Sequence, residues 1–240
     1  MTKHLYRPAL LFVIGALFFL GCSNSRGYNK YADQFFTQGD AWFKKGEYDR
    51  AIEDFTKVLE MAPGGADNSV VYYNRGLAYY KNREYERAIL DFDRALELTP
   101  KGGKAESQAV TPKVEFELFN IYKARGDAWF YKGGYARAID DYSVALKFGE
   151  QREELPSVYN GLGWAWLQRG EYERAIKDFS AALKIDSGLA QSYYGRGYAW
   201  WKRGDVYKAL FNARKALKLE PGNRVYDDFV YELRSFEKEK

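Results

Sequence analysis

Only one stretch of this chain is apolar without interruption: Ala9 to Leu20, twelve residues of hydrophobic side chains and glycine. From residue 32 onward, short apolar groups instead recur at fixed spacings among charged residues. One phrase returns five times: Gly46-Glu-Tyr-Asp-Arg-Ala-Ile52, Arg83-Glu-Tyr-Glu-Arg-Ala-Ile89, Gly133-Gly-Tyr-Ala-Arg-Ala-Ile139, Gly170-Glu-Tyr-Glu-Arg-Ala-Ile176 and Gly204-Asp-Val-Tyr-Lys-Ala-Leu210. Twelve residues before Ala51, Ala88, Ala138, Ala175 and Ala209 stand Gly39, Gly76, Gly126, Gly163 and Gly197. Three residues after those glycines come Trp42, Tyr79, Trp129, Trp166 and Trp200, and four before them Phe35, Tyr72, Tyr122, Tyr159 and Tyr193. Four after the alanines stand Phe55, Phe92, Tyr142 and Phe179, with Ala213 the exception. Beyond the last unit, Tyr226, Phe229, Val230 and Leu233 follow an i, i+3, i+4, i+7 order, which predicts an amphipathic helix from Arg224 to Lys238.

This pattern resembles the tetratricopeptide repeat, a 34-residue helix–turn–helix unit with small and aromatic residues at such offsets. The resemblance covers residues 32–223 and implies an all-α, right-handed superhelical solenoid. Its five repeats fall at 32–65, 69–102, 119–152, 156–189 and 190–223, with an insertion at 103–118 and a capping helix at 224–240. The physics agrees. Glycines and alanines let two antiparallel helices approach closely, and aromatic rings fill the space between them. Pro63, Pro100 and Pro221 end second helices by removing a backbone donor, while Glu150 and Ser187 occupy that place in the other two units.

Successive glycines are 37, 50, 37 and 34 residues apart, so the largest insertion lies between repeats two and three. Thr111-Pro112 there reads as an N-cap followed by proline at the first helical position, opening a helix that runs to Lys132. The extra turns either pad an uneven junction or meet a partner or a second copy. Charge shows a further regularity. Arg75, Arg125 and Arg196 precede the glycine where the family usually has Leu, and Asp54, Asp91, Asp141, Asp178 and Asn212 follow each alanine by three. In the hairpin that the resemblance implies, Arg75–Asp91 and Arg125–Asp141 are expected to pair; the alternative is that each Arg extends its stem to water.

The amino terminus has the three-part layout of a secretory signal: basic Lys3 and Arg7, the apolar run, then Gly21-Cys22-Ser23-Asn24-Ser25. Twelve apolar residues fall short of the roughly 20 that a membrane-spanning helix needs, which counts against the alternative, an uncleaved signal anchor. Phe19-Leu20-Gly21-Cys22 resembles the lipobox of bacterial lipoproteins, with Phe19 where Leu is commoner. That resemblance implies a signal peptide at 1–21, palmitate and related acyl chains on Cys22, and a tether at 22–31. It places the body in the bacterial cell envelope. By resemblance to Gram-negative lipoproteins, Ser23 rather than Asp after the cysteine implies the outer membrane, with the body facing the periplasm.

In tetratricopeptide arrays the first helices line a concave groove that binds segments of other proteins. The resemblance puts Phe36, Tyr73, Lys123, Tyr131, Trp164, Tyr194, Tyr198 and Trp201 there as candidate partner-binding residues, with Asp40, Lys81 and Asp127 beside them. The last four of those candidates form the densest aromatic cluster. Two readings stay open: these rings touch a partner, or they complete the core. A rival function is glycan binding, with Trp164, Tyr194 and Trp201 stacking on the sugars of peptidoglycan or exopolysaccharide. Asp40, Leu77 and Asp127 stand where the chaperone-binding members of the family need hydrogen-bond donors, so that specialisation is set aside.

Composition removes several classes. Lys and Arg number 37 against 33 Asp and Glu, a formal +4 that falls to +2 without Lys3 and Arg7, too even for a nucleic-acid footprint. The single His and single Cys are His4 and Cys22, leaving the body without imidazole or thiol for acid–base chemistry, nucleophilic catalysis or a zinc site. Gly102-Gly103-Lys104 lacks the spacing of a phosphate loop. No enzyme, metal or cofactor is expected. The sequence reads as a lipid-anchored scaffold or adaptor for an envelope protein, similar in architecture to pilotins and periplasmic adaptor lipoproteins, with its oligomeric state open.

Overall fold

The computed structural model describes residues 30–63, 65, 68–99, 111–149 and 153–238. The signal peptide, Cys22, most of the tether and residues 103–110 of the insertion lie outside the described residues. Among those described, every regular element is helical: α1 (Lys30–Lys45), α2 (Tyr48–Met61), α3 (Asn68–Lys81), α4 (Tyr85–Leu98), α5 (Pro112–Lys132), α6 (Tyr135–Lys147), α7 (Leu155–Gln168), α8 (Tyr172–Ile185), α9 (Ala190–Lys202), α10 (Val206–Leu219) and α11 (Arg224–Lys238). Helices pair in chain order into five hairpins, each hairpin stacks on the next, and α11 packs on α10. The all-α solenoid with a carboxy-terminal cap is therefore the fold. α1 already includes Lys30 and Tyr31, which the sequence reading had assigned to the tether.

Local chemistry explains each hairpin. Gly46, Gly133, Gly170 and Gly204 turn the chain between the two helices at φ of 81°, 90°, 77° and 85°, and Arg83 takes the same place in repeat two at φ 64°. A Cβ on Gly39, Gly76, Gly126 or Gly163 would come within 3.0, 2.8, 2.9 and 2.7 Å of Phe55, Phe92, Tyr142 and Phe179, so these positions exclude larger residues. Repeat five, with Ala213 in place of a ring, lets Gly197 approach the Ala209 carbonyl oxygen instead, at 3.1 Å from the same hypothetical atom. The recurring phrase also acquires a reason for its cation. Arg50, Arg87, Arg137, Arg174 and Lys208 lie 4.7, 5.6, 4.3, 4.6 and 4.2 Å from the ring centres of Trp42, Tyr79, Trp129, Trp166 and Trp200. Each covers the aromatic of its own first helix.

The arginine row does more than pair within its unit. Arg75 donates two hydrogen bonds to Asp91, both 2.8 Å, and a third to Thr56 Oγ1 of the preceding repeat. Arg125 grips Asp141 and reaches back to Asp93, while Arg196 bonds Asn212 and Ser180. Three of the four inter-repeat junctions are strapped this way; at the remaining one Leu162 stands in the row. The expected Thr111 cap forms, its hydroxyl accepting from the Val114 N–H at 3.4 Å. In the extra turns of α5, Val114 and Leu118 pack into the cluster containing Ala95 and Leu96, which fits the padding role.

Candidate partner-binding groove

The face in question belongs to the first helices α1, α3, α5, α7 and α9, and its residues fall into two unlike halves. In repeats one to three, Phe36 and Tyr73 are half-buried, lying 5.7 and 5.9 Å from Phe55 and Phe92 beneath them. Tyr131 is 38% exposed and stacks on Tyr85 at 5.6 Å and against Tyr80 at 5.8 Å. Lys123 pairs with Asp127 at 3.1 Å, and the second oxygen of Asp127 accepts from the Tyr142 hydroxyl at 2.7 Å. These groups adjoin one another across α3, α5 and the start of α4.

Electrostatics gives this half its character. Burial pushes the hydroxyls of Tyr73, Tyr80, Tyr131 and Tyr142 well up, and the Asp127 charge adds to each, so all four remain protonated donors at neutral pH. Lys81 is pulled below its ordinary value by desolvation, with Asp127 opposing and Lys123 reinforcing the shift, and it makes no ion pair among the described residues. Asp40 occupies in repeat one the place of Asp127. One of its oxygens holds Lys44 at 2.7 Å; the other is buried without a hydrogen-bond partner among the described residues. The position of Tyr142 is taken there by Phe55, which has no hydroxyl to offer.

Repeats four and five differ. Trp164 is a correction to the groove assignment: it is 4% exposed, part of the core, with its ring edge-on to Phe179 at 5.4 Å. Tyr194, Tyr198 and Trp201 are half-buried and packed on the cap. Tyr194 meets Tyr226 and Phe229 at 5.1 and 5.3 Å, Tyr198 meets Phe229 at 5.9 Å, and Trp201 contacts Phe229 and Phe236 at 5.9 and 6.4 Å. The core alternative thus describes most of this cluster. Burial raises the Tyr194 hydroxyl to about 12. The sequence reading took Tyr142 as core alone; its hydroxyl was the overlooked signal, a lone Tyr in a row of Phe set opposite an Asp. Among the described residues no set of His, Cys, Asp or Glu is arranged for a metal ion, and no helix is long and apolar enough to cross a membrane.

Comparison with known proteins agrees with the geometry. Residues 32–64 and 69–101 match models described as tetratricopeptide repeat, and residues 163–210 match one described as TPR repeat. The chain is similar to the crystal structure of YrrB, a TPR protein with an unusual peptide-binding site, at 19% identity and a TM-score of 0.62, covering 81% of this chain and 89% of that one. It is also similar to MamA from Desulfovibrio magneticus (16% identity, TM-score 0.67, 81% and 98% covered) and to a tetratricopeptide repeat protein from Parabacteroides merdae (15%, 0.68, 85% and 73%). At these identities the likeness is one of fold. No curated protein matches the chain.

Proposed function

We propose that this tetratricopeptide-repeat solenoid is a non-enzymatic scaffold that holds a segment of a partner protein against repeats one to three. The observation that carries this reading is the half-open wall of Tyr73, Tyr80 and Tyr131, with Lys81, which makes no ion pair among the described residues, 5.9 Å from the Tyr80 ring centre. The tyrosine rings supply area at little entropic loss, their hydroxyls donate to peptide carbonyls, and Lys81 offers a cation for one acidic side chain. The glycan reading loses its support, because Trp164 is buried and Tyr194 and Trp201 lean on the cap.

Two further parts belong to the same proposal: acylation at Cys22 and residence at the outer membrane, facing the periplasm. A photoreactive residue at Tyr131 tests the groove. It is expected to capture one protein whose crosslink disappears in Tyr73→Ala and Lys81→Glu backgrounds. Crosslinks to sugar alone, or captures indifferent to both substitutions, overturn the reading. Cys22→Ser is expected to abolish labelling by a clickable palmitate analogue, and persistent labelling refutes the anchor.

A further inference from the structure

The second helices present an outward stripe whose chemistry changes along the solenoid. The exposed or half-exposed positions two before and two, five and nine after each repeat alanine read Asp49, Glu53, Thr56 and Glu60 on α2, and Glu86, Leu90, Asp93 and Glu97 on α4. On α10 the same positions are Tyr207, Phe211, Arg214 and Lys218. Successive members are four, three and four residues apart, so they form one straight stripe about 17 Å long. α10 contains no acidic residue, whereas α2, α4, α6 and α8 all do. Tyr207 is 76% and Phe211 58% exposed, and Lys215 stands 5.9 Å from the Phe211 ring centre. Arg214, Lys215 and Lys218 form no ion pair among the described residues.

We propose that this face of α10 docks on an anionic phospholipid bilayer. Two rings one turn apart, flanked by cations with no protein counter-charge, match a surface that offers phosphate at its outer edge and hydrocarbon just beneath. Lys and Arg stems lie along the rings while their heads stay among the phosphates. The acidic stripes of α2 and α4 are repelled by the same surface, so contact is confined to the carboxy-terminal end and the groove of repeats one to three stays clear. A single-stranded nucleic acid needs a channel to follow, and this stripe is the outward side of one helix. The docking is independent of acylation at Cys22.

The test uses the full chain carrying Cys22→Ser and a single new cysteine, Phe211→Cys or, as the control, Leu90→Cys, labelled with an environment-sensitive fluorophore. With vesicles containing phosphatidylglycerol, the probe at 211 is expected to shift to the blue and the probe at 90 to stay unchanged; vesicles of phosphatidylcholine alone shift neither. In the chain that keeps Phe211, reversing charge with Arg214→Glu, Lys215→Glu and Lys218→Glu is expected to weaken binding to the anionic vesicles by roughly tenfold or more. An unmoved probe at 211 overturns the proposal. So does an equal shift at both positions, a shift that follows protein concentration without lipid, which marks a second copy as the occupant, or one produced by single-stranded RNA in place of vesicles.

Discussion

Asp178 shows how one missing partner sets a residue apart. Its row-mates Asp91 and Asp141 are gripped by arginines, whereas repeat four has Leu162 in the arginine row. Burial pushes the Asp178 carboxyl up from 3.8 to about 6, against the opposing pull of Lys177 and the Trp166 side chain. A carboxyl raised by folding binds its proton more tightly in the native state. Its contribution is therefore full below pH 3.8 and is lost as the pH climbs to about 6. Asp178→Asn is expected to stabilise the protein at pH 7 and to leave it nearly unchanged at pH 4, read from denaturant midpoints at the two pH values. Arg83 is a second anomaly, since a left-handed conformation costs an L-residue about 1 kcal/mol where glycine is free. Arg83→Gly should raise stability by up to that amount, and a lowered midpoint would show that the turn draws on the Arg side chain.

Pairs of helices are held by small residues against rings and by the arginine straps. Gly195 is the tightest contact, with a hypothetical Cβ only 2.4 Å from the Phe179 ring, which Gly163 presses from the adjacent helix. Gly195→Ala should therefore cost about 1–3 kcal/mol by overpacking, despite alanine's better helix propensity. The straps differ in what they leave behind. Arg125→Ala abandons Asp141, which is mostly buried, and Asp93, whereas Arg196→Ala leaves the neutral Asn212. The first should be the more destabilising by roughly 2 kcal/mol, and equal losses in a side-by-side urea titration would show that the charge is not what matters. Pairing within each unit, Arg75 with Asp91 and Arg125 with Asp141, was legible from the sequence through the hairpin that the tetratricopeptide resemblance implies. The reach to Thr56, Asp93 and Ser180 was not, because it depends on how one hairpin sits on the next.

At the scale of the whole solenoid, each hairpin contacts only its neighbours, so the exposed ends matter most. Phe229 is 4% exposed and touches Tyr194, Tyr198 and Trp201 at once. Phe229→Ala is expected to cost about 3–5 kcal/mol and to broaden unfolding as repeat five loosens before the others, seen as early loss of hydrogen-exchange protection in α9 and α10. The repeated glycines, alanines and aromatics determined the register, the helix pairs and the cap, because these follow from spacing and residue type along a single chain. Which aromatics stay open was decided only by tertiary structure. Trp164 and Tyr131 stand one and five residues after their repeat glycines, a helical turn apart in the repeat pattern, yet one is sealed against Phe179 and the other lies open over Tyr85. Exposure is set by what the adjacent repeat or the cap places over a ring, and that contact joins residues far apart in sequence.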